Sequence, residues 1–303
     1  MVGLSPEEKI FIVHGVEQDI RNDGRIRLQY RPIEIETGIV PHAMGSARVC
    51  TGNTDIIVCI KGSTYKPPED EPVGNNLEFF VDFSAIASPN YEGRWGEQVS
   101  EEYTVLLNKL YSSTKLESLC IKPGVLSWKL NIDIEVLSFE GNIYDTISFG
   151  VKAALANTQL PKISTTDEDK GEEDFQVSDD PSDTWTPDIS EVPCFVTLWK
   201  IGEHVVVDPT INEEHCSSFA CVIAFTENGK VWSTVSVGPG SVQPSTFLNL
   251  TSEAKTIAEE TINYIGRECT AWMIKWEVLR SDNTSNWLDT SLRDLIYNLR
   301  CAF

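Results

Sequence analysis

The sequence predicts an α+β fold, built as two related halves, each a mixed or antiparallel sheet with helices packed on it. Apolar–polar alternation recurs in short runs, such as Ile33, Ile35 and Thr37 against Glu34 and Glu36, which is the period-two mark of a half-buried strand. Helical spacing appears in Val99, Tyr103, Leu106, Leu107 and Leu110. Strand runs precede helical runs in residues 31–163 and again in 192–268, on either side of an acidic stretch at 164–191. That repetition suggests a duplication. The expected organisation is an N-terminal helix and lead-in over 1–30, a first unit over 31–163, a surface linker loop over 164–191, a second unit over 192–268 and a helical, Trp-rich tail over 269–303.

Each element has a local reason. Ser5-Pro6-Glu7-Glu8 opens a helix, because serine caps, proline suits the first turn and acids complement the dipole. Ile10, Phe11, Val13, His14 and Val16 then form an apolar stripe. Residues 32–40 read as a strand, followed by strands at 46–50 and 55–60 around Thr51-Gly52-Asn53-Thr54. Gly52 and Asn53 supply the positive φ of a tight hairpin, so the three strands form an antiparallel meander. A fourth strand lies at 77–84, a helix at 97–112, strands at 118–121 and 125–137, and a mostly apolar helix at 144–157. In 164–191 Lys170 is the only base among many acids, a block that self-repels. Strands follow at 194–201, 204–208, 217–225 and 230–237, with turns at Gly202-Glu203 and Asn228-Gly229, and then a long helix over 246–280.

Composition narrows the function classes. With 46 acidic and 24 basic residues the net charge is -22, so the chain as a whole repels nucleic acid, and RNA contact requires a local basic patch or basic partners. No run of 18 apolar residues exists, and the acidic N-terminus is not read as a signal peptide. The eight cysteines include no CxxC and no Cys–His zinc spacing, so they read as small core hydrophobes in a reducing compartment. P-loop, GxGxxG, GxSxG and HExxH motifs are missing from the sequence.

Four short motifs occur in order: DGR at 23–25, RPIEIETG at 31–38, GSARV at 45–49 and GNTDIIV at 52–58. Their order and spacing resemble the RNase PH-like family, which includes ribonuclease PH, polynucleotide phosphorylase and the ring subunits of the RNA exosome. The resemblance spans residues 10–265 and implies the RNase PH-like fold. It implies that active members phosphorolyse RNA from its 3′ end. They do so with an arginine pair before the first long helix, a Thr-Arg step after a glycine that holds phosphate, and two aspartates about six residues apart. This chain departs at each place. Glu97-Gln98 stands for the arginine pair, with Arg94 nearby but out of register. Asn142-Ile143 stands for Thr-Arg, and Asp145 is expected to add negative charge close to the phosphate position. Glu191 replaces the second aspartate, and the first falls near Trp185. Asp208-Pro209-Thr210 followed by Glu213-Glu214 resembles the non-catalytic exosome ring subunits, with the two glutamates expected to face solvent or a partner.

The resemblance therefore implies a structural subunit of the exosome core ring, without catalytic residues, metal or cofactor, supporting 3′-to-5′ RNA processing and decay, including rRNA maturation and mRNA turnover. The alternative is an active phosphate-dependent 3′–5′ exoribonuclease that recruits Arg94 and Glu191; a third reading is an interaction module working through the aromatic tail. Implied partners are other RNase PH-like ring subunits, S1/KH cap subunits, exosome-associated nucleases and RNA in the assembled channel, with no membrane. The implied location is the nucleus, including the nucleolus, and the cytoplasm. Ring closure is expected to satisfy sheet edges through neighbours. Arg25, Arg31, Arg48 and Arg94 are the candidates for RNA contact; the competing reading is that Arg25 and Arg31 pair with acids inside the fold.

Overall fold

The computed structural model describes residues 4–68, 76–88, 91–166, 174–178, 180, 183–238, 240–241 and 243–281. Helix α1 (Pro6–Glu17) starts at a capping box: the Ser5 hydroxyl accepts from Glu8 N at 3.2 Å, and the Glu8 carboxylate accepts from Ser5 N at 2.8 Å. Its buried face is Ile12 and Val16, one turn apart, whereas Ile10 and Phe11 of the expected stripe lie exposed on another face.

The first sheet contains β1 (Ile33–Thr37), β2 (Gly45–Thr51), β3 (Thr54–Tyr65), β4 (Leu77–Phe83), β5 (Cys120–Lys122) and β6 (Leu126–Ser138), in the order β1-β2-β3-β6-β4, with β5 on β6. The meander β1-β2-β3 is antiparallel, as its turns dictate. At the β2–β3 turn Gly52 alone takes a positive φ, of 58°; Asn53 does not share it. Strand β4 runs parallel to β6, because helix α2 (Arg94–Tyr111) lies in the crossover between them.

Both edges of this sheet are closed by the chain's own helices, not left for a neighbour. Along β4, the backbone N–H groups of Phe83, Val81 and Phe79 donate to Ser100 Oγ, Thr104 Oγ1 and Asn108 Oδ1 of α2, at 3.2, 3.0 and 3.2 Å. Polar residues one turn apart on a helix advance about 6 Å, close to the two-residue repeat of a strand. Helix α3 (Ile143–Ala156) lies between this sheet and a second one, packing on β2 and β3. Every residue of it but Ala156 is buried, and its polar Asp145, Thr146, Ser148 and Lys152 are buried with hydrogen-bond partners.

The stretch expected as a surface linker, 164–191, contributes short strands among its described residues. Strand β7 (Leu160–Pro161) pairs with β10 (Thr184–Trp185), and β8 (Ile163–Thr166) pairs with β9 (Asp174–Val177). β-Branched Ile163, Thr165 and Thr166 favour the extended chain, and Lys162 neutralises Asp183 at 2.5 Å. The second sheet is antiparallel, β11 (Cys194–Ile201), β12 (His204–Val207), β13 (Phe219–Phe225) and β14 (Val231–Val237), in the order β12-β11-β13-β14; α3 packs on β11. A short helix α4 (Ile211–Glu214) follows β12.

Helix α5 (Pro244–Ser281) packs on β1, β11 and β13 and continues unbroken past residue 268, where a boundary was expected, because nothing there stops a helix. It closes the β1 edge: Tyr264 Oη donates to Ile33 O at 2.9 Å and Trp272 Nε1 to Thr37 O at 2.6 Å. Eight helical residues span about 12 Å and four strand residues about 13 Å, so the two donors meet matching carbonyls. The expected tail beyond residue 281 lies outside the described residues. Among the described residues, no helix is long and apolar enough to cross a membrane, and no cluster of three or more His, Cys, Asp or Glu side chains is arranged to hold a metal ion.

Candidate functional site

The lead-in between α1 and β1 brings Arg21, Arg25 and Arg31 against the end of the second sheet, where they are 3, 8 and 9% exposed. A buried guanidinium is tolerated only with an acid partner and its remaining donors bonded. Asp208, wholly buried, supplies the centre. Its carboxylate accepts from Arg25 Nη1 at 2.9 Å, from Arg31 N, Nε and Nη2 at 2.7, 3.0 and 2.8 Å, and from Asn142 Nδ2 at 2.9 Å. Asp208 has φ 49°, in the left-handed region that aspartate tolerates, and this turns the chain from β12 toward α4. Glu213 takes Arg21 through Nε at 2.9 Å and Nη2 at 2.5 Å, and its Oε2 also accepts from Thr210 N at 2.8 Å. The glutamate expected to face outward is thus 2% exposed.

The loop before α3 joins the same cluster. Arg31 Nη1 and Nη2 donate to Glu140 O and Gly141 O, each at 3.0 Å, and Thr54 Oγ1 donates to Gly141 O at 2.8 Å. Asn142, with φ 53°, is the N-cap of α3, and its N–H donates to Glu214 Oε1 at 2.7 Å. A helix N-terminus offers unpaired N–H groups and a positive dipole end to an anion. Here the place is taken by the chain's own Glu214 side chain, so Glu214 also departs from the solvent-facing expectation. Its pKa is pushed up to about 8, first by burial, with Asn142 N–H and Arg31 pulling it down and Asp208 and Glu213 raising it.

Asp145, in the first turn of α3, is wholly buried. It points into the core, accepting from Tyr30 Oη and from Thr197 Oγ1, both at 2.6 Å. Burial raises its pKa to about 6 against the pull of those hydroxyls, and the same environment pushes the Tyr30 hydroxyl well above its ordinary value. A carboxyl whose folded pKa exceeds its unfolded one keeps a proton in the fold that the unfolded chain releases. Stability is therefore greatest below the unfolded pKa and falls as pH rises to the folded one, from about 4 to about 8 for these two groups together. The substitution Glu214→Gln retains an acceptor for Asn142 N–H; it is expected to flatten the upper part of that slope and raise the melting temperature at pH 9, as measured by thermal unfolding across pH.

Arg25 and Arg31 are therefore brought together, and both engage buried partners. Arg48 lies elsewhere, on the outer face of the first sheet, paired with Asp55 at 2.6 Å, and Arg94 is exposed at the first residue of α2. Arg21 was not singled out from the sequence; the available signal was a third arginine in a short segment of an acidic chain. Glu191, the other residue of the enzyme alternative, is exposed in the turn before β11.

The chain matches the 3′ exoribonuclease family, domain 1 over residues 29–161 and domain 2 over residues 191–256. It is 30% identical to a protein of Dictyostelium discoideum named as the exosome complex exonuclease RRP42, over 88% of this chain and 98% of that one. It is 34% identical to the exosome complex component Rrp42 of Thermococcus onnurineus, over 82% of this chain and 92% of that one. The Archaeoglobus fulgidus exosome with RNA bound to the active site contains a chain of the same fold, with a TM-score of 0.68 and 24% identity over 85% of this chain and 97% of that one.

Proposed function

This chain belongs to the 3′ exoribonuclease family of RNase PH-like proteins, and from that premise we propose that it is a non-catalytic subunit of an exosome core ring. The observation that carries the non-catalytic part is the filled N-terminus of α3. Where active members are expected to hold inorganic phosphate, Glu214 Oε1 sits on Asn142 N–H at 2.7 Å. The Glu214 side chain in that place occupies the donor that a phosphate would need, and electrostatic stabilisation of the reacting phosphate is the step such chemistry depends on. Arg25 and Arg31 are committed to Asp208.

In this role the chain supports 3′-to-5′ RNA processing and decay, including rRNA maturation and mRNA turnover, beside other RNase PH-like subunits, S1/KH cap subunits and associated nucleases, in nucleus, nucleolus and cytoplasm. Of the four arginine candidates, Arg25, Arg31 and Arg48 pair with acids of the chain, and the exposed Arg94 is the one assigned to RNA in the channel. The purified chain, incubated with single-stranded RNA in phosphate buffer, is expected to release no nucleoside diphosphates above a buffer control. Phosphate-dependent release would instead establish the active exoribonuclease.

A further inference from the structure

Helices α2 and α5 close the two edges of the first sheet, and α3 covers its inner face. Its outer face has no element packed on it among the described residues, and it carries a groove of about 500 Å³. Ile57 and Cys59 of β3 form an apolar floor, and Phe80 of β4 stands 46% exposed beside them. The parallel register of β4 and β6 sets Asp82 directly opposite Glu135. Like charges in that position destabilise a sheet. Burial, and then the charge of Asp82, raise the Glu135 pKa.

The lysine and arginine side chains of this face are already taken: Arg48 by Asp55, Lys61 by Asp133 and Lys129 by Glu78; His42, of the loop between β1 and β2, also lines the groove. Asp82 and Glu135 have no basic partner among the described residues. The fold alone gains nothing from facing two carboxylates across a strand pair; an incoming cation would reverse that cost.

We propose that this groove docks another protein subunit of the assembly, one that places an arginine or lysine between Asp82 and Glu135 and an apolar side chain over Ile57, Cys59 and Phe80. The acid pair selects against RNA as the occupant, because phosphates would be repelled. Apolar surface beside a charge pair is the composition of an interface centre, where desolvation strengthens the pair. The inference rests on the reading that the chain works inside an assembly.

The test co-expresses the chain with other RNase PH-like ring subunits and maps N-ethylmaleimide labelling of Cys59 by mass spectrometry. Cys59 is expected to label in the isolated chain and to be protected in the assembly. The double substitution Asp82→Asn with Glu135→Gln is expected to weaken association about tenfold, the scale of one lost charged contact. Relief of the like-charge pair should leave the melting temperature of the isolated variant unchanged or higher, which separates weakened docking from misfolding. Equal Cys59 labelling free and assembled, or wild-type association of the double variant, would overturn the docking site while leaving the ring subunit intact. A wild-type chain that joins no assembly overturns the functional reading and this inference with it.

Discussion

Asp208→Ala is expected to lower the unfolding free energy by about 3–5 kcal/mol, the range for breaking a buried ion pair from one side. The substitution strands two guanidiniums at once, those of Arg25 and Arg31, and removes the acceptor of Asn142 Nδ2. It also places alanine at φ 49°, which aspartate tolerates better. Asp208→Asn keeps the shape and the left-handed preference but loses the charge, so its loss is expected to be smaller than that of the alanine variant. Denaturant unfolding of the single variants and of Arg31→Ala combined with Asp208→Ala completes a double-mutant cycle. The double loss should fall well short of the sum, because one stranded charge is gone. Additive losses would show that Arg31 and Asp208 do not depend on each other.

The second large effect is expected at Gly141. Its φ of 95° disfavours any side chain, and an added Cβ would lie 2.4 Å from Pro209 O and 2.8 Å from Thr210 C. Those atoms are backbone of the β12–α4 corner, so they move only if the corner moves, and the corner is fixed by Asp208 and Glu213. Backbone strain and overpacking together are expected to cost about 3 kcal/mol in Gly141→Ala. Gly124 supplies the comparison: it has φ 73° with nothing within 4 Å of an added Cβ. Gly124→Ala is expected to cost only the strain, about 1–2 kcal/mol. Chemical denaturation of both variants isolates the clash as the difference. Equal losses would show that the loop before α3 does not press on the α4 corner.

These two sites show what was legible and what was not. The strands β1, β2 and β3 and the helix α2 were readable because each carries a period set within a few residues, and β13 because it is an unbroken apolar run. The capping box at Ser5 and the hairpin at Gly52 were readable for the same reason. The motif segments around Arg25 and Arg31 were also visible, but their partner was not. Arg31 meets Asp208 across 177 residues of chain, and no local pattern encodes that distance. Glu213 and Glu214 looked like surface acids because two adjacent glutamates usually are. The turn forced by Asp208 points one of them at Arg21 and the other at Asn142 N–H. Ser100, Thr104 and Asn108 looked like the polar face of α2 and proved to be the cap of the β4 edge.

By itself, the sequence determined the α+β class, most of the strand and helix positions and the family motifs. Tertiary structure alone decided that the lead-in arginines belong to a buried ion cluster, that α3 carries the Glu214 side chain at its N-terminus, and that one sheet face is left bare. The physical reason is range. Periodicity, caps and turns are settled by neighbours in the chain, whereas the partner of a buried charge is settled by which distant segments the topology brings together.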